Sequence, residues 1–235
     1  MITSTPERRT LIVDCAIDLI AAQGLRALTH RALDTALDLP PGSTSYYFRT
    51  KRRLIEAVVE RIALRSRIDF AAANTLRPPP GGPGEPADPN DPAILGEPDP
   101  PGEPAALVES AVPHDPPART DADIPARNIA TWLDQLLAHR RTHLITRHAL
   151  IIDLLGDPTL HERLTGCLFS HRHATSLFRS LGSTDPETRA ADFIAVIEGL
   201  IFDRFAGART ALTPGTPASV DQLARVLAVH LTGSV

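Results

Sequence analysis

The side chains best suited to binding phosphate are concentrated between Thr29 and Arg53. This stretch holds several serine and threonine hydroxyls, the chain's two tyrosines, Tyr46 and Tyr47, and its single lysine, Lys51. Hydroxyl, phenol and ammonium groups donate hydrogen bonds to phosphate oxygens, and basic side chains add charge attraction. Lys51 in particular is a candidate for contact with phosphate, with a solvated surface charge as the alternative.

Histidines form a second group of candidate residues, since eight of the nine lie beyond residue 113. His139 and His143 are four residues apart and could share a helix face, as metal ligands require. Surface or core histidines are the stronger alternative, because no HExxH motif, cysteine partner or nearby acidic ligand accompanies them. No nucleophile with a base and an orienting group is identifiable either. We expect no metal, no cofactor and no enzymatic activity.

The charge is distributed unevenly along the chain. Residues 1–77 hold 12 Lys and Arg against 8 Asp and Glu, residues 78–125 hold 1 against 10, and residues 126–235 hold 11 against 10. A basic end on a chain of net charge −4 is the footprint of a nucleic-acid reader. A surplus of this size also occurs on ordinary solvated surfaces.

Composition favours an all-α fold. The apolar content is 43%, aromatic residues are few, and Ala, Leu, Ile and Arg are abundant. Cys15 and Cys167 lie far apart in helical patterns, which offers neither a disulfide framework nor a CxxC motif and fits a reducing cytoplasm. The chain contains no apolar run of about 18 residues. We expect a cytoplasmic protein without membrane contact.

The chain divides into three parts, residues 1–77, 78–124 and 125–235. Residues 78–117 contain 14 Pro and 5 Gly and almost no periodic apolar pattern. Proline removes backbone donors and the acidic residues repel one another, so we expect a disordered spacer. Binding to a proline-recognising module remains the lesser alternative. Beyond residue 125 the periodicity predicts helices at about 125–139, 141–155, 158–181, 186–206 and 217–232.

The first part has the pattern of four helices. A helix from Glu7 to Gln23 ends at Gly24, and Thr29 caps a short helix to Leu37 with Ala32, Leu33 and Ala36 as its packing stripe. After a turn at Asp38, proline opens a third short helix that ends at Tyr47. Thr50 caps a long fourth helix to about Leu76. Two short helices joined by a tight turn predict a helix-turn-helix, whose second helix fits the major groove of DNA.

The stretch from Leu28 to Leu54 resembles the DNA-binding domain of the TetR family. The resemblance covers residues 8–65 and rests on Gly24, Thr29, Gly42-Ser43, the aromatic run Tyr46-Tyr47-Phe48, Thr50-Lys51 and Leu54. It implies that phosphate is contacted by Thr29, Ser43, Tyr46, Tyr47 and Lys51. It also implies that Pro41, Gly42 and Ser45 face the bases.

The sequence departs from the family pattern at four positions between Thr29 and Phe48. The usual residues are glycine at Asp38, a larger aliphatic at Thr44, tyrosine at Ser45 and histidine at Tyr47. The base-facing residues offer few bidentate hydrogen bonds. We therefore expect base reading to depend partly on Ser45, on Arg31, and on Arg8 or Arg9 near the flexible N-terminus, with DNA shape contributing. His30 is a further candidate for contact with DNA.

Beyond residue 125 the resemblance is one of architecture. It implies a homodimer that places two reading helices about 34 Å apart on a palindromic operator. The broad apolar stripe of helix 186–206 and the last helix predict a dimer interface, with a buried core helix as the alternative; its candidates are Phe193, Ile197, Leu200, Ile201, Phe205, Leu223, Val226 and Leu227. The resemblance also implies a pocket for an unknown small-molecule effector, with candidates Trp132, His143, Arg147, Ile151, Leu168 and Phe169. We expect a ligand-responsive DNA-binding regulator that acts as a repressor.

Overall fold

The computed structural model describes residues 5–75 and 123–232, and within these two ranges the chain is helical and contains no strand. The all-α prediction is confirmed. The proposed spacer, residues 78–124, lies outside the described residues as far as residue 122. No helix in the described part combines the length and the apolar character that crossing a membrane requires.

Residues 5–75, called the head below, form four helices and one short 3-10 turn. Their bounds are α1 (Thr5–Gln23), the turn Leu25–Ala27, α2 (His30–Ala36), α3 (Ser43–Tyr47) and α4 (Lys51–Thr75). Each helix corresponds to one in the sequence pattern, and the 3-10 turn is an addition.

The helix ends of the head follow the predicted chemistry. Gly24 stops α1 with a φ of 78°, the left-handed conformation that glycine adopts without strain. The hydroxyl of Thr29 accepts a hydrogen bond of 3.1 Å from the backbone N–H of Ala32, and that of Thr50 accepts one of 3.2 Å from Arg53. Asp38 turns the chain with a φ of 50°. These four predictions are confirmed.

The short helices differ from the prediction in two details. The third helix begins at Ser43, because Gly42, with a φ of 89°, is its N-cap and the prolines before it belong to the turn. In α2 the side chain of Ala36 is exposed, and the carboxylate of Asp34 is buried beside Leu33 instead. The buried carboxylate has partners across the turn, which a search for apolar residues misses.

Residues 123–232, called the body below, form six helices: α5 (Asp123–His139), α6 (Arg141–Asp153), α7 (Pro158–Thr165), α8 (His171–Ser180), α9 (Pro186–Ala206) and α10 (Pro217–Thr232). Four of the five predicted helices are confirmed. The prediction of one helix over 158–181 is wrong, because Leu168 and Phe169 leave the helical path to fill the core and Ser170 caps a new helix.

Two apolar cores hold the fold together. One lies within the head and is completed by body residues from α6 and α7, namely Leu150, Leu160 and Leu164. The other lies between α5, α8, α9 and α10. The head and the body are therefore packed against each other through α6 and α7.

The predicted dimer interface is wrong for most of its residues. Six of the eight candidates, Phe193, Ile197, Leu200, Ile201, Leu223 and Leu227, are buried in the core of their own protomer. Phe205 and Val226 are partly buried against the same core. The apolar stripe of α9 is already covered by neighbouring helices of the body, so the alternative reading of a buried core helix is correct.

Candidate functional site

Asp34 joins the two short helices of the head. Its two carboxylate oxygens accept hydrogen bonds of 2.8 Å each from the backbone N–H groups of Gly42 and Thr44, at the start of α3. These two donors have no partner within their own helix, as in the first turn of any helix. One side chain of α2 therefore fixes where α3 begins and how it is oriented.

The pKa of Asp34 reflects this position. Burial alone raises the pKa, but the hydrogen bonds from Thr44 and Gly42 outweigh it and hold the pKa below its ordinary value. The carboxylate is therefore charged at neutral pH and complements the positive N-terminal end of α3.

The tip of the helix-turn-helix is exposed. Pro41, Gly42 and Ser45 lie on the surface, and Tyr46 is 81% exposed. The phenol group of Tyr46 is therefore accessible to a partner molecule. Tyr47 is half-buried, with its ring in edge contact with that of Tyr46.

The hydroxyl groups at the tip are bonded locally. Ser43 Oγ donates to Pro40 O at 2.6 Å, and Ser45 Oγ donates to Gly42 O at 2.7 Å. Phosphate oxygens only accept hydrogen bonds, so either serine must rotate away from its present acceptor to donate to phosphate. The Thr29 hydroxyl is different, because it accepts from Ala32 and its own proton remains free to donate.

The basic residues that are predicted to contact DNA differ in their exposure and in their hydrogen-bond partners. Arg31 is exposed and His30 is half-buried at the start of α2. Lys51 is exposed at the first residue of α4, where its Nζ donates to Leu25 O at 2.8 Å and keeps two further protons for other acceptors.

Arg8 and Arg9 lie in the first helix, as its predicted start at Glu7 requires. Arg9 donates to Tyr47 O at 3.1 Å, and its guanidinium lies 4.6 Å from the centroid of the Phe48 ring. Arg9 therefore supports the end of α3 from behind.

A charged cleft of about 760 Å³ separates the start of α4 from α7. It is crossed by an ion pair between Arg52 and Asp157 at 2.5 Å and by one between Arg163 and Glu60. Three of the four side chains are half or more exposed and only that of Asp157 is largely buried, so these pairs between the head and the body add little stability.

A second, much smaller cavity of about 20 Å³ lies between α4 and α6 and is called the α4–α6 cavity below. Three predicted effector residues line it: His143, Arg147 and Leu168. Trp132 and Phe169 lie in an aromatic cluster with Phe70, with ring centroids 5.8 to 6.0 Å apart. Ile151 packs against the head core instead, so its assignment to the pocket is wrong.

Arg147 ties three body helices together. It is 1% exposed, forms two hydrogen bonds with Glu198 of α9, at 2.7 and 2.9 Å, and donates to the carbonyl of Leu164 in α7 at 2.9 Å. Burial raises the pKa of Glu198, but His148 and Arg147 outweigh it and lower that pKa to about 2. Among the described residues, no three histidine, cysteine or acidic side chains are placed to hold a metal ion.

This lowered pKa predicts a pH dependence of stability. Glu198 contributes stability above the pKa it has in the unfolded chain, and the contribution is lost as the pH falls toward about 2. The difference in free energy of unfolding between the wild type and Glu198→Gln should shrink by up to about 3 kcal/mol from about pH 5 to about pH 2. Urea unfolding over this range measures it, and a difference that stays constant would contradict the assignment.

A head with an exposed helix-turn-helix and an all-helical body have the architecture of one class of transcriptional regulators. Residues 120–229 match the family model described as the C-terminal domain of tetracyclin repressor-like proteins. The body is therefore similar to a TetR-type C-terminal domain, and the chain shares its fold with a TetR family member of known structure.

Solved structures share the fold over nearly the whole chain. The multidrug binding protein EbrR, in complex with imidazole, is 22% identical, with a TM-score of 0.54 and coverage of 98% of each chain. A TetR family member from Streptomyces coelicolor A3 is 21% identical, with a TM-score of 0.56 and coverage of 94% of this chain and 98% of that one. A transcriptional regulator from Rhodococcus sp. Rha1 is 16% identical, with a TM-score of 0.62 and coverage of 97% and 94%. No curated protein sequence matches significantly.

The most informative residues missed in the sequence are Asp34, Arg65, Asp69 and Phe70. Asp34 lies beside Leu33 in a two-turn helix, and that position could have signalled a buried carboxylate. Phe70 and Asp69 lie in the distal half of α4, where the apolar period gives no sign of a cavity.

Proposed function

We propose that this chain is a sequence-specific DNA-binding regulator that acts as a homodimer on a palindromic operator. The observation that carries the proposal is the pair of hydrogen bonds from the start of α3 to the carboxylate of Asp34. They hold α3 at the surface with Gly42, Ser45 and Tyr46 exposed. A helix held in this way at a protein surface fits the major groove. The proposed DNA-binding unit is residues 1–77, and residues 125–235 form the effector and dimerisation unit.

The phosphate contacts in this proposal come from the helix starts around α3. Thr29 and Lys51 retain free protons for phosphate oxygens, and Tyr46 and Tyr47 supply phenol groups. Ser43 joins them after rotation of its hydroxyl. Ser45 and Arg31 are the proposed readers of base edges, and the small number of such groups leaves a share of the specificity to DNA shape.

Lys51 provides a test of phosphate contact. Lys51→Ala should weaken DNA binding and reduce the slope of log affinity against log salt by about 1, because one fewer counterion is released. Lys51→Arg should restore the slope, whereas Arg172→Ala, on the exposed surface of α8, should leave it unchanged. Fluorescence anisotropy over a salt series measures all three. An unchanged slope in Lys51→Ala would exclude the contact.

The dimer surface proposed here is the exposed side of α9. Ala191, Ala195, Gly199, Phe202 and Ala206 recur at spacings of three or four residues and lie on the surface of the protomer. Small residues let two helices approach closely, and Phe202, which is 47% exposed, supplies apolar area to bury. A two-fold pairing through this face replaces the interface expected from the sequence.

A glutamate on this face should separate the dimer. Ala195→Glu is expected to give a monomer in analytical ultracentrifugation and to weaken operator binding by about a hundredfold or more, because the two half-sites are no longer bound together. The matched control is Ala138→Glu on the exposed surface of α5. A dimeric Ala195→Glu variant with full DNA affinity would rule this surface out.

Regulation in this proposal comes from an effector bound in the body. A ligand that prefers one spacing of the two heads shifts the population toward it and releases or engages the operator. The contacts of α6 and α7 with the head supply the physical connection. We propose release, which makes the chain a repressor.

The experiment that tests the proposal is a gel shift with DNA flanking the chain's own gene, against coding DNA of equal length. A shift of the flanking DNA that persists in excess competitor and weakens steeply with salt supports it. Equal affinity for both DNAs, or none for either, contradicts it.

A further inference from the structure

The α4–α6 cavity is strongly basic. Three guanidinium groups line it, those of Arg65, Arg140 and Arg147, against one carboxylate, that of Asp69. Burial and the neighbouring Arg140 lower the pKa of His143 in the same wall, with Arg65 and Arg61 adding to the effect. The protein charges around this cavity therefore favour an anion.

Two of the three guanidinium groups already have carboxylate partners. Arg147 is bound to Glu198, and Arg140 forms two hydrogen bonds with Asp69, at 2.9 and 3.1 Å. For Arg65, by contrast, the structure records no acceptor in the described part of the chain, although the side chain is half-buried. A half-buried cation without a partner is a costly arrangement that an incoming anion relieves.

Three aromatic residues are close along the chain to residues that line the cavity. Phe70 follows Asp69 in α4, Phe169 follows Leu168, and Trp132 precedes Leu136 by one helical turn. The three rings meet edge to face, and the buried Nε1 of Trp132 has no hydrogen-bond acceptor within the described residues. An aromatic or alkyl group fits against such rings, and a ligand oxygen would satisfy the indole N–H.

We propose that the effector is a small carboxylate with an aromatic or apolar body. Its carboxylate binds Arg65 and Arg140 in place of Asp69, and its body packs against Phe70, Trp132 and Phe169. At about 20 Å³ the cavity has room for a water molecule, so the ligand must open it. The inference rests on the proposed function and names the ligand class of that site.

The replacement of Asp69 by the ligand on Arg140 also connects the ligand site to the head. Asp69 belongs to α4, which begins at Lys51 beside the helix-turn-helix, and Arg140 precedes α6. The pair between Asp69 and Arg140 holds the distal end of α4 on the body. A carboxylate that takes over Arg140 frees that end of α4 and so favours a different position of the head.

The test uses the single tryptophan as a reporter in the full chain. Phenylalkanoates of graded chain length are titrated, each with its matching amide and amine, and ethidium is added as an aromatic cation. EbrR has been solved in complex with ethidium, which makes the dye a pertinent comparison. At least one phenylalkanoate should saturably change the Trp132 fluorescence and bind about tenfold or more tightly than its amide and amine.

Two variants with opposite expected effects test the roles of Arg65 and Asp69. Arg65→Ala should weaken carboxylate binding by about tenfold, whereas Arg67→Ala, exposed on the same helix, should not change it. Asp69→Asn should strengthen carboxylate binding, since it removes the internal competitor. Thermal unfolding of each variant confirms that it is folded.

Three results would contradict the inference about the ligand class. The inference fails if no phenylalkanoate binds more tightly than its amide and amine, if ethidium binds and is weakened by Asp69→Asn, or if Arg65→Ala has no effect. A gel shift on the same preparations separates this failure from that of the proposed function. DNA binding without carboxylate binding overturns the ligand class alone, and carboxylate binding without DNA binding overturns the regulatory role.

Discussion

Asp34→Ala is expected to weaken binding to the operator by more than about thirtyfold, because it leaves two N–H donors at the start of α3, one buried and one partly buried, without an acceptor. Each such donor costs about 1 to 3 kcal/mol. The cost falls on the hydrogen bonds that link the start of α3 to α2, so the loss appears in DNA binding as well as in stability. Anisotropy with operator DNA and urea unfolding measure the two effects.

The control for this substitution is Thr35→Ala, which changes an exposed side chain on the same helix. It should bind DNA as the wild type does. Asp34→Asn should fall between the two, since one amide oxygen can still accept from one of the two N–H groups. Full operator affinity in a folded Asp34→Ala variant would show that α3 is positioned by other contacts.

Arg147→Met is expected to lower the free energy of unfolding by about 3 to 5 kcal/mol, because the charge of Glu198 loses its buried counterion. The same change removes the hydrogen bond to the carbonyl of Leu164, so α6, α7 and α9 lose their common tie. Chemical denaturation of the full chain measures the loss.

A second substitution separates the lost pairing from the lost packing. Arg147→Met combined with Glu198→Met should recover part of the stability, since apolar groups of similar volume replace a buried ion pair at little cost. Arg172→Met, at an exposed position of α8, is the matched control and should be nearly neutral. A loss below about 1 kcal/mol in Arg147→Met would mean that the pair is not a structural tie.

Local sequence chemistry predicted the helix ends well. Gly24, Thr29, Asp38 and Thr50 act through contacts with residues a few positions away, and such contacts can be inferred from residue type and spacing. The head was therefore predictable nearly helix by helix. The one break that was missed, between α7 and α8, depends on where Leu168 and Phe169 pack, which is a property of the tertiary fold.

Contacts distant in sequence were not predictable in the same way. Periodicity identifies an apolar face but not what covers it, so residues such as Ile201 and Leu227 fitted a dimer interface and a protomer core equally well. Asp69 and Arg140 are 71 residues apart, and Arg147 and Glu198 are 51 apart. Their pairing depends on the arrangement of helices that the sequence pattern leaves open.

The most direct measurement of the central proposal is a DNase I footprint on DNA flanking the chain's own gene. A homodimer that reads DNA through α3 should protect two half-sites related by a two-fold axis and about one helical turn, or 34 Å, apart. Protection should disappear with Asp34→Ala and at high salt. A single protected half-site would contradict the dimer, and the absence of any protected sequence would contradict the DNA-binding role itself.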